Sequence, residues 1–312
     1  MDITASAKRY LQYLTNFGPR ITFFYLLYPC FGGTKAIKRR HQEIKRYIKK
    51  EFKEVFDKYR NTPFDAESSP NKEQSIWVCW LQGEENMPEI VKICYKSLLK
   101  HSAGKVVHLV TSENLNEYIE VPGYIKEYLD KGKISRTHFA DYIRIMLLAE
   151  YGGLWIDASI LVTADITDET QKTFYSVKQK TKDSIHYVSD YRWAVSLIGC
   201  SEGCGKYMFS CLNALFDCYL KKRTFFIDFF LFDYFIAAMY EELPLIKQLI
   251  DNNKENCDSF YMLSENLNNK YDKAVMQDIV AQGKFHKMSW KQNYYEMTGN
   301  NGLTFFAHIK NM

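Results

Sequence analysis

The stretch from Ser135 to Val162, SRTHFADYIRIMLLAEYGGLWIDASILV, packs the residue types able to do chemistry most closely together. Asp141 and Arg144 stand three apart, which on a helix puts them on one face. Tyr142, Ile143, Ile145, Met146, Leu147 and Leu148 surround them, so this helix is expected to be buried. A buried charge pair needs further partners or a ligand. An ordinary ion pair fits the same spacing, and the pattern alone leaves both readings open. Beyond Gly152-Gly153, the apolar Leu154-Trp155-Ile156 leads into Asp157. A carboxylate closing an apolar strand is costly unless it is paired, hydrogen-bonded or metal-bound. Side chains alternate along a strand, so Asp157 and Ser159 are expected on one side, addressing one ligand. Oxygen donors with a hard divalent cation would suit a diphosphate leaving group.

The elements that would position these residues alternate in type. A strand is expected over 76–81, and a helix over 88–100 with Ile90, Ile93, Cys94 and Leu98 on one face. A second strand follows over 105–111, then short helices over 113–131 broken at Pro122-Gly123. Ser135-Arg136-Thr137 can cap a helix running to Tyr151, and a third strand covers 154–157. This alternation predicts an α/β fold with a mostly parallel sheet. Further strands are expected over 185–199, helices over 203–252, and a strand, polar loop and final strand over 284–309. Ligands of open α/β sheets collect beyond the carboxyl ends of strands. Here the first strand ends in Trp80-Leu81-Gln82-Gly83 and the third in Asp157-Ala158-Ser159.

Two later segments add to this. Asp228 and Asp233 sit in FFIDFFLFDYF, where acids between aromatic rings suit a sugar acceptor, or serve as helix caps and buried hydrogen-bonding groups. The 297–302 segment, MTGNNG, reads as a mobile lid or as an ordinary hairpin turn.

The 312 residues are 46% hydrophobic and 25% charged, a balance that excludes global disorder. A net charge of +4 is too small to argue for nucleic acid, yet residues 1–70 hold 14 Lys+Arg against 7 Asp+Glu. Within them, Ile37, Ile44, Ile48, Phe52, Val55 and Tyr59 mark one amphipathic helix over 36–59, with Lys38, Arg39, Lys45, Arg46, Lys49, Lys50 and Lys53 on much of the rest. Residues 61–72 read as a linker. We therefore expect a helical extension over 1–70 and a catalytic domain over 71–312. The basic helix either packs on that domain with a solvated face, docks on an anionic membrane, or meets a partner protein. No CxxC pair or zinc spacing occurs among the eight cysteines, and a reducing compartment fits them. No apolar run approaches the roughly 20 residues of a membrane span. A cytoplasmic protein, peripheral on the inner face of the cell membrane, is the expectation.

The arrangement Asp141-x-x-Arg144, Tyr151-Gly152-Gly153-x-Trp155-x-Asp157-Ala158-Ser159 resembles the capsular polysaccharide synthesis glycosyltransferases, relatives of glycosyltransferase family 32 and of the glucosylating toxins. The 76–83 strand IWVCWLQG, the 228–244 stretch and FHKMSWK at 285–291 resemble further motifs of the group. The resemblance implies a GT-A, Rossmann-like fold and transfer of a sugar from a nucleotide diphosphate, UDP-linked, to a polysaccharide or lipid-linked oligosaccharide, with retention. It implies that Trp80 stacks on the base beside Gln82 and Gly153. Asp141 and Arg144 would contact the donor sugar, and Asp157 the ribose and a Mn²⁺ or Mg²⁺ ion. The diphosphate would be neutralised by that metal and by His286, Lys287, Trp290 or Lys291. Ser159 stands where the family's metal motif has a second acid, which weakens the metal expectation. Two other functions remain: a non-catalytic sugar-nucleotide-binding assembly protein, and a toxin-like transferase acting on proteins.

Overall fold

The computed structural model describes residues 3–30, 32–64, 75–180, 186–223, 225–299 and 302–312. Its strands are β1 (Ile76–Cys79), β2 (Val107–Val110), β3 (Gly153–Ile156), β4 (Ile160–Val162), β5 (Phe174–Ser176), β6 (Leu197–Cys200) and β7 (Phe285–Lys287). The central sheet has the order β2-β1-β3-β6-β5, while β4 and β7 form a separate antiparallel pair. β1 runs parallel to β2 and β3, and β6 runs against both β3 and β5. Four of the five central strands thus point the same way, giving a mixed, mostly parallel α/β sheet.

Alternation along the strands sorts the core into two layers. Trp77, Trp155, Ile198 and Cys200 face one side, against the helices Arg136–Glu150, Ser210–Lys222 and Leu231–Glu242. Ile76, Val78, Leu154, Ile156 and Leu197 face the other, against Glu89–Lys100, β4, β7 and the helix Phe305–Lys310. Both faces are covered, which is why β1 and β3 read as near-continuous apolar runs.

The helix Arg136–Glu150 begins where Ser135 Oγ accepts the backbone N–H of His138 at 3.2 Å. It ends at Gly152, whose φ of 64° favours glycine. A Cβ there would sit 2.9 Å from the Cys200 carbonyl oxygen, so the corner leading into β3 is closed to larger residues.

Three expected elements take a different form. The 36–59 helix breaks at Phe52 into Gly33–Glu51 and Lys53–Arg60. Within 185–199 the described chain is mostly turn before β6, with Phe174–Ser176 supplying the neighbouring strand. The last element is not a strand but the helix Phe305–Lys310, capped by Thr304 Oγ1 accepting Ala307 N–H at 3.1 Å. The capping Thr followed by Phe305-Phe306-Ala307 is a helix-start signal that outweighs the β-propensity of Phe and Ile.

The N-terminal helices share the first core layer. Ile44, Ile48, Phe52 and Phe56 are buried beside Phe216, Tyr219 and Phe235, and the rings of Phe52 and Phe235 meet edge-on at 5.9 Å. Tyr13 donates to the Ile227 carbonyl at 2.9 Å. Five of the seven basic residues named on the 36–59 segment have acid partners: Arg39 and Arg46 on Glu43, Lys45 and Lys49 on Glu241, and Lys53 on Asp57. Most of the expected linker lies outside the described residues. Among the described residues, no helix is long and apolar enough to cross a membrane.

Candidate active site

Asp157 follows the last residue of β3, at the carboxyl edge of the sheet. Its Oδ1 accepts Arg144 Nη2 at 2.9 Å and Trp155 Nε1 at 2.8 Å. Its Oδ2 accepts Lys287 Nζ at 2.6 Å. Burial raises the pKa of this carboxyl, but the charges of Lys287 and Arg144 more than offset it and hold the group below the usual carboxylate range. Asp157 is thus a fixed anion, and a quarter of its side chain is still exposed.

Arg144 joins the two acids that the sequence placed apart. It donates to Asp141 Oδ1 at 2.9 Å and to Asp157 at the same distance, with its guanidinium over the Trp155 ring at 4.7 Å. Asp141 is almost fully buried, and burial pushes its pKa up to about 6 despite Arg144, with nearby Asp157 adding to the rise. The helix Arg136–Glu150 presents this pair to the end of β3 because its other faces are committed to the core.

A cavity of about 430 Å³ opens in front of these residues, within the size range of small-molecule sites. Asp141, Arg144 and Asp157 line one wall, and Asp228, Asp233 and Tyr261 another. Trp193 Nε1 donates to Asp233 Oδ1 at 2.9 Å, and burial raises the Asp233 pKa to about 7. Asp228 accepts the Phe230 N–H at 2.9 Å, a turn that leads into the helix Leu231–Glu242. Tyr25, Arg40 and His41 from the N-terminal helices complete the wall, His41 Nδ1 lying 2.7 Å from the Tyr234 hydroxyl. These three, along with Trp155 and Trp193, were not expected from the sequence. For Trp155 a signal was present, since it stands two residues before Asp157 and therefore on the same side of the strand. For the others the contact depends on long-range packing.

Trp80 sits just past β1 at the same sheet edge, although it does not line the large cavity. Its ring meets Trp290 edge-on at 5.9 Å, and its indole N–H is buried with no acceptor among the described residues. Lys287 and Trp290 come from one turn of chain, so Lys287 links the tryptophan flank to Asp157. Lys291 is exposed, with its ammonium 5.5 Å from the Trp290 ring. Gln82 is also exposed, its carbonyl accepting Asn86 Nδ2 at 2.7 Å.

Two expected contacts are not brought together. His286 is fully buried on the opposite side of β7 from Lys287, with Nε2 3.2 Å from Thr163 Oγ1, and burial lowers its pKa to about 4. Strand alternation turns it away from Asp157 and makes it a neutral core residue. Gly153 opens β3 at the amino end, about 13 Å of strand from Asp157. Its φ of 93° serves the turn into the strand rather than a ligand. Asp157 and Ser159 do converge, but through a turn in which Ile160 N–H returns to the Asp157 carbonyl at 2.9 Å, not through strand alternation. In the 297–302 loop, Thr298 N–H bonds the Gly302 carbonyl at 2.8 Å, and none of the loop's described residues lines the cavity. Asn300 and Asn301 lie outside the described residues.

The residues do not fit the divalent cation that the resemblance implies. Lys287 Nζ already bridges Asp157 Oδ2 and Ser159 Oγ, at 2.6 and 3.0 Å. Those are the two oxygens an Asp-x-Ser metal site would offer. A divalent ion about 4 Å from that ammonium would meet a repulsion of roughly 8 kcal/mol at an effective dielectric of about 20. Among the described residues, no cluster of three or more His, Cys, Asp or Glu side chains is placed to hold a metal.

A mixed sheet with acids at its carboxyl edge and helices on both faces is a GT-A-like glycosyltransferase architecture. The chain belongs to the capsular polysaccharide synthesis protein family, which matches residues 32–309 and so takes in the second N-terminal helix as well as the sheet. It is also 28% identical over 107 residues to the O-glycosyltransferase PaGT of Phomopsis amygdali, a match covering 31% of this chain and 26% of that protein.

Proposed function

We propose that the protein transfers a sugar from a nucleotide-diphosphate donor, most simply a UDP-sugar, to a polysaccharide or lipid-linked oligosaccharide. The observation that carries this reading is the Asp141–Arg144–Asp157–Lys287 chain of charges at the mouth of a cavity that can hold a sugar. Trp80 and Trp290 offer ring faces for the base on one flank of Asp157. On the other flank the cavity takes the donor sugar against Asp141 and Arg144, and the acceptor against Asp228 and Asp233. In the transfer, the bond from the anomeric carbon to the diphosphate oxygen breaks with its electron pair passing to the diphosphate. The acceptor oxygen bonds to that carbon, and its proton goes to the departing diphosphate. Retention of configuration follows from the family resemblance. Burial of Asp141 and Arg144 strengthens the charged contacts they make.

The assay is incubation with radiolabelled UDP-sugars and bacterial lipid extracts. Label entering a lipid-extractable glycan supports the reading. Binding of UDP-sugars without turnover on any acceptor favours a non-catalytic assembly protein, and label in lysate proteins favours a toxin-like transferase.

A further inference from the structure

We infer that the Lys287 ammonium does the work of a divalent cation at the donor diphosphate, so that the protein binds its nucleotide without metal. This deepens the reading above and rests on it. Three observations carry it. First, Nζ occupies the space between Asp157 Oδ2 and Ser159 Oγ, where an Asp-x-Asp pair would hold the ion. Second, strand register fixes its position. Lys287 pairs with Ile160 across β4 and β7, its N–H bonds the Phe260 carbonyl at 2.7 Å, and the next N–H, of Met288, bonds the Ser159 carbonyl at 2.8 Å. The backbone of Lys287 is therefore clamped between the Phe260 segment and the turn carrying Asp157 and Ser159. Third, an ammonium has three N–H donors, and among the described residues two are used. The third is available to an anionic oxygen, beside the Trp80–Trp290 flank.

The neutral residue at 159 now has a physical reason. A second carboxylate there would add a charge that one ammonium cannot balance, whereas a hydroxyl accepts its hydrogen bond and adds none. Asp157 then holds the lysine rather than a metal. The chemistry recognised is a nucleoside diphosphate, whose negative charge builds on the leaving oxygen as the sugar departs.

The test is calorimetric titration of UDP into the full chain, first in EDTA and then with MnCl₂. We expect the two dissociation constants to agree within about twofold. Lys287→Ala should weaken UDP binding in EDTA by at least about tenfold, while Lys287→Arg keeps most of it. The double variant Ser159→Asp with Lys287→Ala should bind UDP about tenfold more tightly when Mn²⁺ is added, having recovered an oxygen cage. Wild-type affinity that collapses in EDTA and returns with Mn²⁺ overturns the inference and leaves the sugar-nucleotide reading intact. If UDP, ADP and GDP all fail to bind in either condition, the functional reading falls as well. The wild-type comparison decides the matter even if Lys287→Ala does not fold.

Discussion

Two carboxylates in this molecule are ringed by cations, and they are put to different use. Glu43 is almost wholly buried, with Arg20, Arg39 and Arg46 around it at 2.5, 3.0 and 2.8 Å. Asp157 has Arg144 and Lys287. Hydrogen bonding from Arg20 leads the causes that lower the Glu43 pKa, and burial opposes it. Both acids are therefore charged and satisfied, and charge alone does not tell them apart. The difference lies in what surrounds them. The arginines on Glu43 come from the N-terminal helices and turn their guanidinium groups onto it while about half of each side chain stays in solvent, so the cluster closes on itself. The partners of Asp157 come from a core helix and a separate strand pair, and the group still opens onto a cavity. A satisfied ion cluster is structural when nothing can approach it, and chemical when it faces enclosed space.

Exchanging each acid for its amide is the sharpest way to break this comparison. Asp157→Asn is expected to lower sugar transfer by about 10²–10³-fold, because Arg144 and Lys287 lose their anchor at the reacting end. Glu43→Gln should leave transfer within about twofold and cost about 1–3 kcal/mol of stability in urea unfolding. Equal loss of activity in both variants would erase the distinction.

The basic surface near Glu43 supplies a smaller effect. Lys38 and Lys50 are exposed on the same helix as the paired residues. Membrane docking, one of the three readings of the basic helix, would then rest on few charges, each contributing about 1 kcal/mol. Lys38→Glu with Lys50→Glu should reduce sedimentation with phosphatidylserine vesicles by about tenfold, without changing UDP affinity. Unchanged sedimentation would assign the segment to packing alone. Removing residues 1–60 outright is a poor probe, since Phe52 and Phe56 belong to the core.

The smallest expected effect concerns pH. Asp233 has its pKa raised from 3.8 to about 7 by burial, with Asp141 and Asp228 opposing its ionisation and Trp193 and Arg144 favouring it. A raised pKa means that folding favours the protonated acid. The stabilisation is complete below about pH 4 and is lost as pH rises through about 7. Wild-type protein should therefore lose a few degrees of Tm between pH 5 and pH 8 relative to Asp233→Asn. Parallel Tm curves for the two proteins would place the Asp233 titration elsewhere.

Much of the framework was legible in residue order. Ser135 marks a helix start, Gly152 a stop, and the apolar runs at 76–79 and 153–156 a covered sheet, because capping, left-handed turns and alternation are local rules. These rules also put Asp157 at a strand end and Asp141 on the face of Arg144. Periodicity misread residues 305–310 as strand, where the Thr304 cap outweighs β-propensity, and 36–59 as one helix, where the chain breaks at Phe52.

Sequence by itself therefore determined the family, the order of the main elements and the identity of the acids. Tertiary structure decided which groups meet them. Lys287 lies 130 residues from Asp157 and reaches it only because β7 pairs with β4 in one register. A shift of one residue would have offered His286 instead, since neighbours on a strand face opposite ways. Tyr25, Arg40 and His41 reach the cavity because the N-terminal helices bury their apolar stripe in the same core. Such choices depend on which buried surfaces fit together over long range, and no short window of residues carries that information.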